Sequence, residues 1–211
     1  MQTSINAASD PRVIRMAARA ACQFVFVGFE TLQGSTLQRM GKSVNLAVGV
    51  RNYRQVVKTF HRFGIGVMGA FIIGHDGETA GYYRDLARFM VRSGIDMFQI
   101  SILTPLPGTA LMEDFQRDGR LLFSRFPDDW DRYRFSYVVH QPRGVSPETI
   151  YTGDNLIKDR LYRFPTYWLR LIRSGLVLRD PFRFAAVWKV NQALKKSWKN
   201  AHYYSDYPTG F

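Results

Sequence analysis

The 211-residue chain contains one cysteine, Cys22. A single cysteine rules out an internal disulfide framework and any multi-cysteine metal site built from these residues alone. No run approaches the roughly 18 uninterrupted apolar residues of a membrane-spanning helix. The N-terminal sequence MQTSINAASDPR lacks the basic start and apolar stretch of a secretory signal. These absences lead us to expect a cytoplasmic protein.

Acidic residues are also scarce. The chain has 17 Asp and Glu against 29 Lys and Arg, which gives a formal net charge of +12. The excess is concentrated between Tyr151 and Asn200, where eleven Lys or Arg stand against three Asp or Glu. Such a balance favours an acidic partner: nucleic acid, an anionic membrane or a phosphorylated ligand. A solvated basic surface is the simpler alternative, and no recognised nucleic-acid-binding motif accompanies the charge.

A unit of helix followed by strand occurs three times along the chain. Each unit has an apolar stripe with helical spacing and then a short continuous apolar run. The stripes are Val13/Met16/Ala17/Ala20, Tyr53/Val56/Val57/Phe60 and Tyr83/Leu86/Ala87/Met90, and the runs are Phe24 to Val27, Val67 to Ile73 and Met97 to Leu103. With QTSIN as a first strand, the order is βαβαβαβ. This pattern is typical of a parallel sheet covered on both faces, either an open doubly wound sheet or part of an α/β barrel.

Each predicted strand ends in a segment rich in glycine, proline or polar side chains. These segments are GFET (28–31), GHDGE (74–78) and TPLPGT (104–109). Because ligands in parallel α/β folds collect at the carboxyl ends of strands, the three segments are candidate site loops. The alternative for the second segment is that Asp76, Gly77 and Glu78 only turn the chain and cap the next helix.

The same segments resemble motifs of a known enzyme family. VFVGFETLQGSTLQRMGKSVN resembles a family strand such as VFIGFET followed by L…GK…N, GAFIIGHDGET resembles GFIIGFDGET, and LTPLPGTAL resembles LTPLPGTPL. In this order, they resemble the second half of a radical S-adenosylmethionine (radical SAM) barrel, closest to the radical SAM proteins that carry a cobalamin-binding domain. The resemblance implies an α/β fold with a partial, TIM-like half barrel of parallel βα units over residues 1–125.

The resemblance also implies that S-adenosylmethionine lies across the carboxyl ends of the strands. Glu30, the acid of GFET, would lie near its ribose or methionyl part, and Lys42 would meet its carboxylate. Leu103 and Thr104 would line the adenine through backbone atoms. The alternatives are that Glu30 caps the following helix, that Lys42 is a solvated surface residue and that TPLPGT is only a rigid turn.

The segment FIIGHDGE resembles the adenine-side motif of the family. Ile72, Gly74 and Glu78 are its candidate contacts, with the glycine allowing the backbone to approach the ring. The family pattern places its acid three residues after this glycine, where the present chain has Gly77, so Glu78 is displaced by one position.

Radical SAM enzymes also hold a [4Fe-4S] cluster through a CxxxCxxC loop, and iron–sulfur ligation requires thiolates. With one cysteine, this chain cannot supply that loop, and its four histidines show no metal-ligand spacing. We therefore expect a fragment, a split half or a degenerate relative, which needs a missing N-terminal barrel half to be active. The cofactors implied for the complete protein are S-adenosylmethionine, the [4Fe-4S] cluster and cobalamin.

Residues 126–211 form a separate, aromatic and basic segment that predicts a mainly helical C-terminal extension. Prolines at 165 and 181 interrupt its helices, and the tail from 201 to 211 has the composition of a loosely ordered end. Apolar side chains alternate with Lys and Arg, a pattern that suits either an anionic membrane surface or packing on the barrel. Packing is the favoured interpretation for these side chains: Trp168, Leu169, Ile172, Val187, Trp188 and Trp198.

Three functions follow from the sequence. The first is the C-terminal part of a radical SAM enzyme, which contributes part of the cofactor site and a wall for a small-molecule or lipid-like substrate. The second is a non-catalytic binding or scaffold module with the same architecture. The third is an accessory protein held peripherally at an anionic membrane surface by its basic helices, with nucleic acid as the less favoured partner.

Overall fold

The computed structural model of the protein describes residues 1–199. The tail from 201 to 211 lies outside the described residues, together with the prediction made for it. The strands are β1 (Gln2–Thr3), β2 (Phe24–Glu30), β3 (Gly66–Ile73) and β4 (Met97–Ile102). The helices are α1 (Pro11–Arg19), α2 (Gly34–Arg39), α3 (Ser43–Val48), α4 (Tyr53–Arg62), α5 (Ala80–Ser93), α6 (Ala110–Arg117), α7 (Pro147–Tyr162), α8 (Thr166–Leu178) and α9 (Pro181–Lys199).

The four strands form one parallel sheet in the order β1-β2-β3-β4. Helices connect the successive strands, so the repeated unit predicted from the sequence is confirmed, and the fold is α/β. Parallel pairing brings the carboxyl ends of all four strands to one edge of the sheet. The segments after Glu30, Ile73 and Ile102 therefore begin along the same edge.

The two faces of the sheet differ in their covering. Val27, Phe29 and Phe71 lie on the face packed under the helices and are fully buried. The opposite face carries Ala70 and Ser101, which are half-buried, with the exposed Gln99 beside them. The prediction of a sheet covered on both faces is therefore wrong in the described residues. The runs contain small and polar side chains, among them Ala70, Gln99 and Ser101, and these lie on the open face.

The helical stripes predicted for α4 and α5 are confirmed, because all their members are buried against the sheet. The stripe predicted for α1 is wrong. Val13 and Met16 are exposed, and Ile14 is the fully buried residue of that helix. Proline at the first helical position and the Asp10 cap fix where α1 begins. A helix of nine residues, two of them alanine, defines its inner face weakly.

The helices after residue 146 pack over α5 and β4. The Ser146 hydroxyl caps α7 by accepting a hydrogen bond from the Thr149 amide, and Pro147 follows at the first helical position. α7 crosses α5 closely, with Gly153 directly against the Tyr83 ring. Within residues 1–199, no helix combines the length and apolar content needed to cross a bilayer.

Candidate functional site

Glu30 ends β2 in a backbone conformation that side chains rarely adopt. Its φ of 66° lies in the left-handed region, and the strand register shifts between Gly28 and Glu30. Such a conformation costs a non-glycine residue roughly 1–3 kcal/mol and is found at functional sites more often than elsewhere. The bulge turns the carboxylate back over Gly28, where a Cβ atom would lie 2.6 Å from Glu30 Oε1. Glycine in GFET thus makes room for the acid.

Lys42, just before α3, forms an ion pair with Glu30, with 2.8 Å between Nζ and Oε1. The Glu30 side chain is 13% exposed and that of Lys42 is 42% exposed, so the pair faces solvent from the edge of the sheet. Neighbouring side chains hold the strand end: Asn45 donates to the Gly28 carbonyl at 3.0 Å, and Tyr53 donates to the Phe29 carbonyl at 2.9 Å. Burial, with the Glu30 charge adding to it, raises the pKa of Tyr53 to about 12.

This ion pair borders a cavity of about 670 Å³ on the open face of the sheet. Its volume falls within the roughly 300–1,000 Å³ of small-molecule sites. Apolar rings and polar groups both contribute to its wall, which includes Phe26, Glu30, Lys42, Ile72, Gln99, Ser101 and Phe135. A carboxylate beside an ammonium suits a zwitterionic ligand, because the acid accepts hydrogen bonds from hydroxyl or amino groups while the lysine holds a carboxylate.

Gly74 lies at the end of β3 with a φ of 91°, which favours glycine. Both of its backbone polar groups are bonded within the protein: its N–H donates to Glu78 Oε2 at 2.8 Å, and its carbonyl accepts from His140 Nε2 at 3.0 Å. The Ile150 side chain of α7 lies 3.3 Å from where a Cβ atom would be. The structure thus gives Gly74 a conformational role at a packed junction.

Glu78 is fully buried behind this loop, beside Tyr83. Burial raises the pKa of its carboxyl to about 7, against the opposing effect of the Gly74 hydrogen bond. Neither acid of the loop caps α5, because Thr79 accepts the capping hydrogen bond from the Tyr82 amide. The capping alternative considered for Asp76 and Glu78 is therefore wrong.

Asp76 is bonded instead to the segment that follows α6. Arg120 holds its carboxylate by two hydrogen bonds of 2.5 and 3.1 Å, and the Arg143 amide donates a third at 2.7 Å. Burial acts to raise the pKa of Asp76, but these hydrogen bonds outweigh burial and lower it. The loop after β3 is thereby fastened to residues 120–143.

Leu103 and Thr104 continue β4 past its last strand residue. The Leu103 amide donates to the Ile73 carbonyl at 2.8 Å, and the buried Thr104 hydroxyl donates to the Ile102 carbonyl at 3.0 Å. Leu103 also lines a second cavity of about 610 Å³, together with His75 and Arg120.

The predicted contacts thus lie along one edge of the sheet without sharing one cavity. Glu30, Lys42 and Ile72 line the first cavity, and Leu103 lines the second. Gly74, Glu78 and Thr104 line neither of these two cavities.

Sequence reasoning missed two buried histidines and the polar residues of β4. His75 and His140 lie close together beneath Arg39 and Arg120, and burial lowers the pKa of each to about 4. His140 comes from an irregular segment with no local pattern that would place it there. Gln99 and Ser101, by contrast, alternate with apolar neighbours, and this period of two signals a strand with one open face.

The residues of this chain do not fit an iron–sulfur cluster. The one thiol, Cys22, is half-buried with its Sγ atom 3.4 Å from the Phe24 carbonyl oxygen, at the amino end of β2. The candidate cofactor contacts lie at the opposite, carboxyl end of the same strand. Among residues 1–199, no group of three or more His, Cys, Asp and Glu is placed to hold a metal ion.

No protein-family model matches the chain. Among curated proteins, it is similar to bacteriochlorophyllide d C-12(1)-methyltransferase of Chlorobaculum tepidum, with 30% identity over 155 residues, which are 74% of this chain and 32% of that protein. It is 28% identical to the bacteriochlorophyllide d C-8(2)-methyltransferase of the same organism over 81% of this chain and 39% of that protein. It is 31% identical to hopanoid C-2 methylase of Rhodopseudomonas palustris over 57% of this chain and 22% of that protein.

The chain therefore spans about a third of the length of the first curated relatives it matches. These relatives are methyltransferases by name. The homologues of this α/β chain are thus methyltransferases of the radical SAM type.

Proposed function

We propose that this chain is the C-terminal part of a radical SAM methyltransferase, which supplies one side of the S-adenosylmethionine site and a wall of the substrate site. The observation that carries the proposal is the Glu30–Lys42 pair at the border of the 670 Å³ cavity, on a sheet face that the described helices leave open. The motif resemblance and the names of the relatives support it independently.

Each residue at this border has a defined task in the proposal. Glu30 accepts hydrogen bonds from the ribose hydroxyls or the ammonium group of S-adenosylmethionine, and Lys42 binds its carboxylate. The bonds from Asn45 and Tyr53 to the Gly28 and Phe29 carbonyls hold the strand end that carries Glu30. Less ordering of this side chain is therefore needed when ligand binds. Bound S-adenosylmethionine supplies the methyl group that is transferred.

The cluster, and cobalamin where it is used, are bound by residues outside this chain in the proposal, because one cysteine cannot ligate a cluster. Those residues belong to the same polypeptide or to a separate chain, and they complete the barrel against the open sheet face. Phe26, Ile72 and Phe135 give that face apolar surface. They suit a large, flat or lipid-like substrate, the kind that the names of the relatives describe.

The direct test is equilibrium binding of S-adenosylmethionine to the chain, measured by isothermal titration calorimetry. We expect weak binding by the unaltered chain and a loss of about tenfold or more in Glu30→Gln, because one charged contact is worth roughly 1.5–3 kcal/mol. Lys42→Met should lose affinity similarly. Glu113→Gln, on the exposed face of α6, is the matched control and should bind like the unaltered chain.

A chimaera tests whether this chain contributes to methyl transfer in a complete enzyme. In it, this chain replaces the matching 155-residue segment of the Chlorobaculum C-12(1)-methyltransferase. Methyl transfer from S-adenosylmethionine to bacteriochlorophyllide by the chimaera, lost with Glu30→Gln and kept with Glu113→Gln, supports the proposal. Equal binding and equal methylation by the Glu30 variant would contradict the role given to Glu30. A folded chimaera that transfers no methyl group would favour a non-catalytic module.

A further inference from the structure

Helix α8 buries two polar side chains and exposes several apolar ones. Its buried residues are Tyr167, Arg170, Leu171, Ser174 and Leu178. The side chains it turns toward the protein include Arg170 and Ser174, both buried. The side chains it turns outward include Leu169, which is 61% exposed, and Leu176, which is 71% exposed. Surface helices of globular proteins normally do the opposite.

Specific hydrogen bonds fix this orientation. The Ser174 hydroxyl donates to Asp96 Oδ1 at 2.6 Å, and Arg170 donates to the Leu161 carbonyl at 3.1 Å and to Asn191 Oδ1 at 3.4 Å. Asp96 also accepts from the Val67 amide at 2.8 Å, which ties the network to the sheet. Rotating α8 to bury its apolar face would break this network and leave charges buried without partners.

Apolar residues beyond both ends of α8 are exposed as well. Phe164 precedes the helix and is 78% exposed, and Phe182 follows it and is 83% exposed. We call this surface the α8 apolar face, and it consists of Phe164, Trp168, Leu169, Ile172, Leu176 and Phe182. Exposed apolar patches of this kind mark surfaces that bind a partner or a membrane.

Cationic groups flank the α8 apolar face at both ends. At its start, Thr166 lines a groove of about 220 Å³ into which Arg84, Arg88, Arg92 and Arg160 converge from α5 and α7. At the other end, Leu176 borders a second groove with Lys58, Arg62 and Arg179. Within the described residues, Arg88 is the one of these cations that forms an ion pair, and its partner is Asp85.

We infer that the α8 apolar face rests on an anionic lipid bilayer, with the apolar side chains inserted at the level of the headgroups and the two groups of cations bound to lipid phosphates. An interfacial helix of this type lies in the membrane plane, with aromatic and leucine side chains below and basic side chains around them. A second copy of this chain does not suit the same face, because a two-fold contact would bring like charges together.

Vesicle co-flotation of the full 211-residue chain tests the inference. The vesicles are phosphatidylcholine alone, or phosphatidylcholine with about one third phosphatidylglycerol, at about 0.1 and 0.5 M salt. We expect binding to the anionic vesicles at low salt, weakened by higher salt. Leu169→Ser/Leu176→Ser should reduce the bound fraction at least tenfold, because it removes two apolar side chains that would be inserted. Arg92→Gln/Arg160→Gln should reduce binding to anionic vesicles by roughly tenfold.

Matched controls lie on α1, away from this face. Met16 is 68% exposed, so Met16→Ser removes a comparable apolar side chain, and Arg15→Gln/Arg19→Gln removes two exposed cations. Both controls should change binding by less than twofold. Quenching by brominated lipid provides a second readout: it should be lost in Trp168→Phe and kept in Trp130→Phe.

Three results would overturn the inference. One is absence of flotation with either lipid mixture, and another is equal losses in the α1 controls. The third is self-association in the absence of vesicles that Leu169→Ser/Leu176→Ser abolishes, since this would assign the face to a second copy of the chain. Circular dichroism of each variant confirms that the helices are intact.

Discussion

Two acids at one sheet edge have opposite environments, and this difference separates their roles. Glu30 reaches solvent at the border of a cavity and pairs with Lys42 across 2.8 Å. Glu78 is buried, accepts the Gly74 amide and has a pKa raised to about 7. The first arrangement presents a charge to a ligand, whereas the second closes a loop. The motif resemblance offers both acids as cofactor contacts, with Glu78 displaced by one position, but burial distinguishes them.

Glu78→Gln should change how the stability of the chain depends on pH. The carboxyl has a pKa near 4.5 when unfolded and about 7 when folded, so between these values the folded state holds more protons. Stability from this group is therefore present below pH 4.5 and falls by up to roughly 1.4 kcal/mol per unit as pH rises toward 7. The glutamine variant should lack this fall.

Urea unfolding gives the free energy of unfolding of the unaltered chain and of Glu78→Gln at pH 5 and at pH 8. The change between the two pH values is then compared between the two proteins. His75 and His140, whose lowered pKa values act in the opposite direction over the same range, cancel in this comparison. Glu113→Gln, at an exposed position, should leave the pH dependence unchanged. An identical pH dependence in Glu78→Gln would contradict a raised pKa at Glu78.

At the scale of elements, the features predicted correctly are those that depend on residues close together in the sequence. The stripes of α4 and α5 were predicted correctly. Glycines with φ of 70° and 94° end these helices, and Ser146 followed by proline begins α7. Each depends on residues within one or two turns. The parallel order of the strands followed because short helical crossovers allow few arrangements.

Prediction failed where distant residues decide the result. Packing was predicted for Trp168, Leu169 and Ile172 of α8, but these side chains are exposed, whereas Val187 of α9 is fully buried as predicted. Asp96, just before β4, holds the Ser174 side of α8 against the protein by a hydrogen bond. The sequence of α8 alone does not predict this contact. The contacts of Asp76 with Arg120, 44 residues away, were missed for the same reason.

Gly153→Ala should destabilise the contact between α7 and α5. A Cβ atom at this position would lie 2.3 Å from the Tyr83 ring, which is buried and has no room to move. Overpacking of this kind typically costs 1–3 kcal/mol, so we expect a loss of about 2 kcal/mol in the free energy of unfolding. Urea denaturation followed by circular dichroism measures it.

Gly34→Ala in α2 is the matched control for this prediction. Nothing lies within 4 Å of its added Cβ atom, so the substitution causes no overpacking. Because alanine has the higher helix propensity, the free energy of unfolding should stay equal or rise slightly. If Gly153→Ala were as stable as Gly34→Ala, α7 would not be seated on Tyr83 as described.

At the scale of the whole molecule, two surfaces are left incompletely covered by the described residues, and they differ in chemistry. The open face of the sheet combines Glu30, Lys42 and polar β4 side chains around a cavity. The α8 apolar face is bordered by arginines and a lysine. A net charge of +12 attracts any anionic surface, but only the second face places apolar side chains between its cations.

The two proposed activities should therefore be separable in one set of variants. Glu30→Gln should lose S-adenosylmethionine binding and keep vesicle binding within about twofold, because it alters one charge at a distant cavity. Leu169→Ser/Leu176→Ser should lose vesicle binding and keep its affinity for S-adenosylmethionine, because neither leucine lines that cavity. Effects on distant sites that share no partner are normally independent.

Measuring both activities on each variant gives four results that check one another. If each variant lost both activities, the cause would be a general loss of structure, and neither assignment would stand on these data. If the leucine variant alone lost both, the α8 apolar face would be needed to form the cofactor site, and the membrane assignment would be wrong. Clean separation would assign cofactor binding to the open sheet face and membrane contact to α8, two surfaces held by one core.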